Sequence, residues 1–242
     1  MLFISPPFGN YILTDKTISI KGSYTLYPRY GLIGRIIKTL RYSRVNNGWI
    51  NQIGLRNPGI DYAIQDFHKK QMDIYYNPKN ANVIYSLAII HEDEIPILVH
   101  RIPVMMNLEL NISCPNIKSR KIVTGIEQFI NPSRKWCILK LAPTIDTKEI
   151  DQFYQKGFRQ FHCSNTIKTE NGGLSGTSLR PYTTKLVNYI REKYPDTVII
   201  AGGGVQNRDD IDNYRNIGAD YCSVSTVFFN PFKAIKLFWD LN

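Results

Sequence analysis

The chain has 242 residues, 43% of them hydrophobic and 21% charged, with a formal net charge of +10 at pH 7; this is the composition of an ordinary soluble enzyme with material for a sizeable core. The basic residues are scattered rather than run together, so an anionic partner is admitted but nucleic acid is not specifically indicated. No stretch reaches the roughly 20 apolar residues of a membrane span, and the amino terminus has no basic leader. The four cysteines, Cys114, Cys137, Cys163 and Cys222, share no CxxC spacing, so no zinc or iron–sulfur site is expected. A reducing, cytoplasmic setting follows.

In chain order, period-two or continuously apolar runs bounded by turn residues predict strands over 2–4, 17–20, 83–89, 108–113, 137–141, 160–163, 198–201 and 221–224. Helical patterns fall over 147–156, 183–193 and 208–217, the last followed by Gly218 as a stop. Eight strands with helices between the later ones predict an α/β fold, a single-domain (β/α)8 TIM barrel spanning 1–242 with trimmed amino-terminal units. Residues 26–60 are rich in Gly, Asn, Arg and aromatics without clear period, and read as a long loop over the barrel mouth. Cys137, Cys163 and Cys222 sit in apolar runs and read as reduced core thiols.

Polar residues recur where such a barrel carries its active site, at strand carboxyl ends: Asn111 and Cys114, Lys140, Asn165 and Thr166, Gly202-Gly203-Gly204, and Ser225-Thr226. The densest is Asn111-Ile112-Ser113-Cys114-Pro115-Asn116. Alternation puts Leu108, Leu110 and Ile112 on one strand face and Glu109, Asn111 and Ser113 on the other, and Pro115 ends the strand. Each residue has a plainer alternative: an inert buried thiol, Asn in turns, a lysine reaching for solvent, a tight glycine turn.

The ordered motifs around this cluster resemble the dihydroorotate dehydrogenase family. They are 109–116, Asn51-Gln52-Ile53-Gly54-Leu55-Arg56-Asn57-Pro58-Gly59, Lys140-Leu141-Ala142-Pro143, Asn165-Thr166, Gly172-Gly173-Leu174-Ser175-Gly176, Gly203-Gly204 and Gly218-Ala219-Asp220. The resemblance implies an FMN enzyme oxidising dihydroorotate to orotate in pyrimidine biosynthesis. Hydride removal from a saturated C–C bond requires a base on the neighbouring carbon, and the resemblance assigns it to Cys114, the residue of the soluble cysteine class. A thiol, with an ordinary pKa near 8.5, suits proton abstraction when its surroundings lower it. It further implies pyrimidine contacts at Asn51, Gly54, Leu55, Asn111, Asn116, Asn165 and Thr166, amides that donate and accept along the ring edge. Flavin contacts are implied at Lys21, Asn111, Lys140, Gly176, Gly203, Gly204, Ser225 and Thr226. A fumarate or quinone-like second acceptor and a homodimer are implied too.

Three departures stand out. The family's lysine near the substrate carboxylate is absent from the first loop, 5–10, and Lys21 is one residue out of register, with Gly22 in its place; a one-residue shift reverses a side chain's face. Ser225 replaces a glycine. Residues 91–100 must stand for a full helical crossover. Two other readings are carried forward: a dihydrouridine synthase-like RNA-modifying flavoenzyme, which the net charge suits, and a non-catalytic barrel serving as a binding module.

Overall fold

The computed structural model describes residues 1–112 and 124–240. In chain order the elements are β1 (Leu2–Ile4), β2 (Thr17–Tyr24), α1 (Leu32–Thr39), β3 (Arg41–Ser43), β4 (Gly48–Asn51), α2 (Ile60–Met72) and β5 (Val83–Leu87). There follow α3 (Glu94–Arg101), β6 (Leu108–Asn111), β7 (Cys137–Leu141), α4 (Thr147–Gln155), β8 (Gln160–Cys163), β9 (Ile167–Thr169) and β10 (Gly172–Gly176). The last are α5 (Arg180–Lys193), β11 (Val198–Gly202), α6 (Arg208–Asn216), β12 (Tyr221–Val224) and α7 (Pro231–Asp240).

Eight strands close a parallel barrel in the order β1-β12-β11-β8-β7-β6-β5-β2, each within a few residues of the expected run. Alternation divides the side chains between two faces. Leu108, Leu110, Leu139, Leu141, Phe161 and Ile199 point outward and pack under the helices. Inside, Phe3, Ile18, Ile20, Ile84, Trp136, Ile138 and Ile200 form a separate apolar plug, tied by the edge-on contact of Phe3 and Trp136 at 5.4 Å between centroids. Each such side chain contributes about 1.5–3 kcal/mol by leaving water. The plug fills the lower barrel and leaves the carboxyl-end layer to the polar side chains of β6, β7 and β8.

Two expectations are corrected. Residues 26–60 are not a long loop: they hold α1, β3 and β4, and β4 joins β10 in a four-stranded sheet ordered β3-β4-β10-β9. α1 is amphipathic, but it spans only eight residues and none of them is fully buried, so its period is too short to stand out from a loop. Gly48 on β4 lies so close to β10 that a Cβ would sit 2.5 Å from the Ser175 carbonyl oxygen, which makes glycine necessary there. The crossover between β5 and β6 likewise keeps a helix, the eight-residue α3, anchored by buried Ile95 and Leu98.

Candidate active site

A cavity of about 260 Å³ opens at the carboxyl end of the barrel. It gathers Asn51, Asn165 and Thr166 from the expected pyrimidine contacts, and Lys140, Gly176, Gly203, Gly204, Ser225 and Thr226 from the expected flavin contacts. β4 and β10 carry Asn51 and Gly176 there, because their pairing lays the small sheet over the mouth. Asn111 lies just outside the lining. It is buried, its Oδ1 accepts from Asn165 Nδ2 at 2.8 Å, and its Nδ2 donates to Ser23 Oγ at 3.0 Å. Gly54 and Leu55 do not line the cavity; they form a left-handed turn, with φ of +70° and +55°, held where Arg29 Nε donates to the Gly54 carbonyl at 3.3 Å. Cys114 and Asn116 lie outside the described residues.

Lys21 is not brought to the cavity. It points to the outer face of β2, where its ammonium pairs with Asp66 of α2 at 2.8 Å; the Tyr85 hydroxyl donates to the same carboxylate oxygen at 2.8 Å. The register shift seen in the sequence is therefore real, and Lys21 is a barrel-to-helix tie rather than a cofactor contact.

The shelf after β11, the seventh barrel strand, suits an anionic group. Gly203 and Gly204 have φ of +96° and +81°, and a Cβ would lie 2.7 Å from Leu179 Cβ or 2.7 Å from Arg180 Cγ respectively. No side chain fits, and among the described residues neither backbone amide donates a hydrogen bond; bare N–H groups of this kind close on phosphate oxygens. Ser225 spends its hydroxyl on the Pro6 carbonyl at 3.1 Å, so it ties the β1 loop to the shelf. The pieces fit a flavin phosphate and ring: a glycine shelf, a cation, and amides around a cavity.

Sequence reasoning missed Glu109, His162 and Trp49. Trp49 lines the cavity and packs on Phe229, with centroids 4.3 Å apart. Glu109 is completely buried. One of its oxygens accepts from Ser86 Oγ at 2.8 Å and lies 3.3 Å from Lys140 Nζ; the other is 2.6 Å from His162 Nδ1. Burial alone would raise the Glu109 carboxyl, but Lys140, His162 and the Ser86 hydroxyl outweigh it and hold the group down at about 2. Burial and the Lys140 charge lower His162 against the pull of Glu109, so its ring is neutral and donates from Nδ1. The signal was present in register: Asn111 pairs Lys140 across β6 and β7, and Lys140 pairs His162 across β7 and β8. By contrast, burial pushes the thiols of Cys137 and Cys222 up to about 11 and about 12, and raises Cys163 also; these three are inert core groups.

A closed parallel barrel with a glycine shelf after its seventh strand, a buried cation at the cavity floor and amides around it defines a (β/α)8 barrel whose mouth suits a phosphate-bearing ligand. The family model for dihydroorotate dehydrogenase matches residues 11–154 and 155–240. The "Dihydroorotate dehydrogenase B (NAD(+)), catalytic subunit" of Staphylococcus carnosus is 32% identical over 244 residues, covering 88% of this chain and 75% of its own. Its namesake from Enterococcus faecalis is 31% identical over 261 residues, covering 95% and 80%. The chain belongs to the dihydroorotate dehydrogenase family, flavoprotein oxidoreductases acting on a CH–CH bond. Ligand-free DHODH from Eimeria tenella shares the fold, with a TM-score of 0.74 at 18% identity, covering 99% of this chain and 82% of that one. Among the described residues no helix is long and apolar enough to cross a membrane, and no group of three His, Cys, Asp or Glu is placed to hold a metal.

Proposed function

We propose that this chain, as one barrel domain, is an FMN-dependent enzyme that oxidises dihydroorotate to orotate in pyrimidine biosynthesis. The observation that carries the reading is the joining of Lys140, Asn51, Asn165 and Thr166 with the Gly203-Gly204 shelf in one cavity of a family member. FMN, when bound, would supply the hydride acceptor, and the backbone amides of Gly203 and Gly204, with Thr226, would hold its phosphate. Lys140, fixed by Glu109, presents positive charge where negative charge arrives with the hydride. Asn51, Asn165 and Thr166, with Asn116, bind the pyrimidine edge, while Asn111 orients Asn165 from below. Cys114 Sγ takes the proton from the carbon next to the one that loses hydride, so no cation develops.

The relatives' names, carrying NAD+ and the words catalytic subunit, support NAD+ reached through a second subunit over the fumarate or quinone-like acceptor suggested by the sequence. Two such chains form a dimer, in the cytoplasm. The test is anaerobic orotate formation with each acceptor offered separately, for the native chain, Cys114→Ser and Cys114→Ala. Cys114→Ala should lose about 10²–10⁴-fold, the usual worth of a general base. Native-like turnover in Cys114→Ala, or no reduction of the bound flavin by dihydroorotate in the native chain, would overturn the reading.

A further inference from the structure

Holding a cofactor does not require the third member of the buried cluster. Glu109 and Lys140 alone are electroneutral, and an apolar residue could fill the place of His162. Instead the imidazole is 1% exposed, with Nδ1 at 2.6 Å from Glu109 and its ring among the groups lining the cavity. The Glu109 bond fixes the tautomer, leaving Nε2 as the only ring atom that can gain a proton. Nε2 lies against bare backbone: a Cβ on Gly202 would come within 2.7 Å of it, so glycine keeps that nitrogen unobstructed. The charges that face His162 are Glu109 from β6 and Lys140 from β7, and among the described residues no other charged group acts on it.

We propose that His162, backed by Glu109, takes up a proton at Nε2 when the cofactor is reduced, so that this chain couples two-electron reduction to a second proton. The inference rests on the flavin reading above. Oxidation of dihydroorotate removes two electrons and two protons: the hydride carries both electrons and one proton to the cofactor, and the other proton leaves through Cys114. One negative charge is then added to the cavity. Before reduction Glu109 and Lys140 cancel and the imidazole is neutral. The added charge favours the protonated ring; a proton from water binds Nε2, the imidazolium still donates to Glu109 from Nδ1, and the charge of the cavity returns to its value before reduction. Reoxidation by the second acceptor releases that proton to water.

The measurement is the midpoint potential of the flavin-loaded chain as a function of pH. With two electrons, each proton taken up contributes about 30 mV per pH unit. The native chain should show about 59 mV per unit over a window near the ordinary histidine value of about 6.5, falling to about 30 mV above it. His162→Gln should show about 30 mV throughout. Glu109→Gln keeps the imidazole but removes its counter-charge, so the steep window should move to lower pH; this variant carries the test should His162→Gln fold poorly. A native slope of about 30 mV across the range, or an equally steep slope in His162→Gln, would overturn the proposal while leaving the flavin reading intact. A chain that binds no flavin would overturn the flavin reading, and this proposal with it.

Discussion

Replacing Glu109 by Gln should destabilise the barrel by about 3 kcal/mol, a value worked from the ion pair beneath the cavity. At 3.3 Å between Lys140 Nζ and Glu109 Oε1, and an effective dielectric of about 20, the Coulomb term is about 5 kcal/mol. Removing one partner of a buried pair costs about 3–5 kcal/mol because the other charge is left uncompensated. Lys140 retains 11% of its side-chain exposure and can lean toward water in the cavity, which places the cost at the lower end. Glutamine has one acceptor oxygen instead of two: with its amide turned to His162 Nδ1–H two donors meet, and with its oxygen there the amide faces Lys140 Nζ, so one of the three bonds at this site is lost. Equilibrium urea unfolding of flavin-free protein isolates this effect, since bound cofactor would add its own stabilisation. With a slope of about 3 kcal/mol per molar, the midpoint should fall by about 1 M at constant slope. The double variant Glu109→Gln with Lys140→Met should be less destabilised than the sum of the singles by about 2 kcal/mol or more. Additivity within about 0.5 kcal/mol, or a single-variant loss below that, would refute the claim that Glu109 and Lys140 hold each other.

Lys21→Met should leave flavin content and dihydroorotate turnover unchanged while lowering stability by about 1.5–3 kcal/mol, the worth of a hydrogen bond to a charged group; lost flavin would return Lys21 to the site. Gly203→Val should release flavin and fold less stably by more than about 1 kcal/mol, since the added side chain meets Leu179 at a backbone angle that favours glycine; full flavin retention would remove the phosphate from this shelf. The lowered His162 value also has a sign in stability: the unfolded chain binds its proton below about 6.5, the folded chain only at lower pH, so stability falls as pH drops from about 6.5 toward the folded value. His162→Gln should flatten that part of the curve, and an unchanged pH dependence by urea unfolding would show that the ring is not held neutral.

The barrel was legible because each strand carries its own short apolar run, and β1, β7, β8 and β12 have the bounds that the runs predicted. The excursion between β2 and α2 was not, because its elements are only three to eight residues long and several of its apolar residues, Ile33 and Ile37 of α1 among them, face solvent, so no single run is long enough to stand out from a loop. The site was legible where one residue implies its own chemistry, as with Lys140 at a strand end or Gly203-Gly204. Glu109 was placed on the correct strand face, yet its significance lies in Lys140 and His162, 31 and 53 residues away. His162 sat unremarked in an apolar run ending at Cys163, because a histidine there is most simply packing until the barrel sets it beside a carboxylate. Lys21 shows the reverse: the resemblance implied a flavin contact there although its register was one residue out, and Asp66 on α2, its partner at 2.8 Å, explains the outward face.

The most direct test is the absorbance spectrum of the purified chain followed by anaerobic addition of dihydroorotate. A bound flavin band that bleaches with about one equivalent of substrate, and bleaches far more slowly in Cys114→Ala, is the predicted result. A flavin band unmoved by dihydroorotate would contradict the substrate assignment, and no flavin at all would contradict the cofactor site on which it is built.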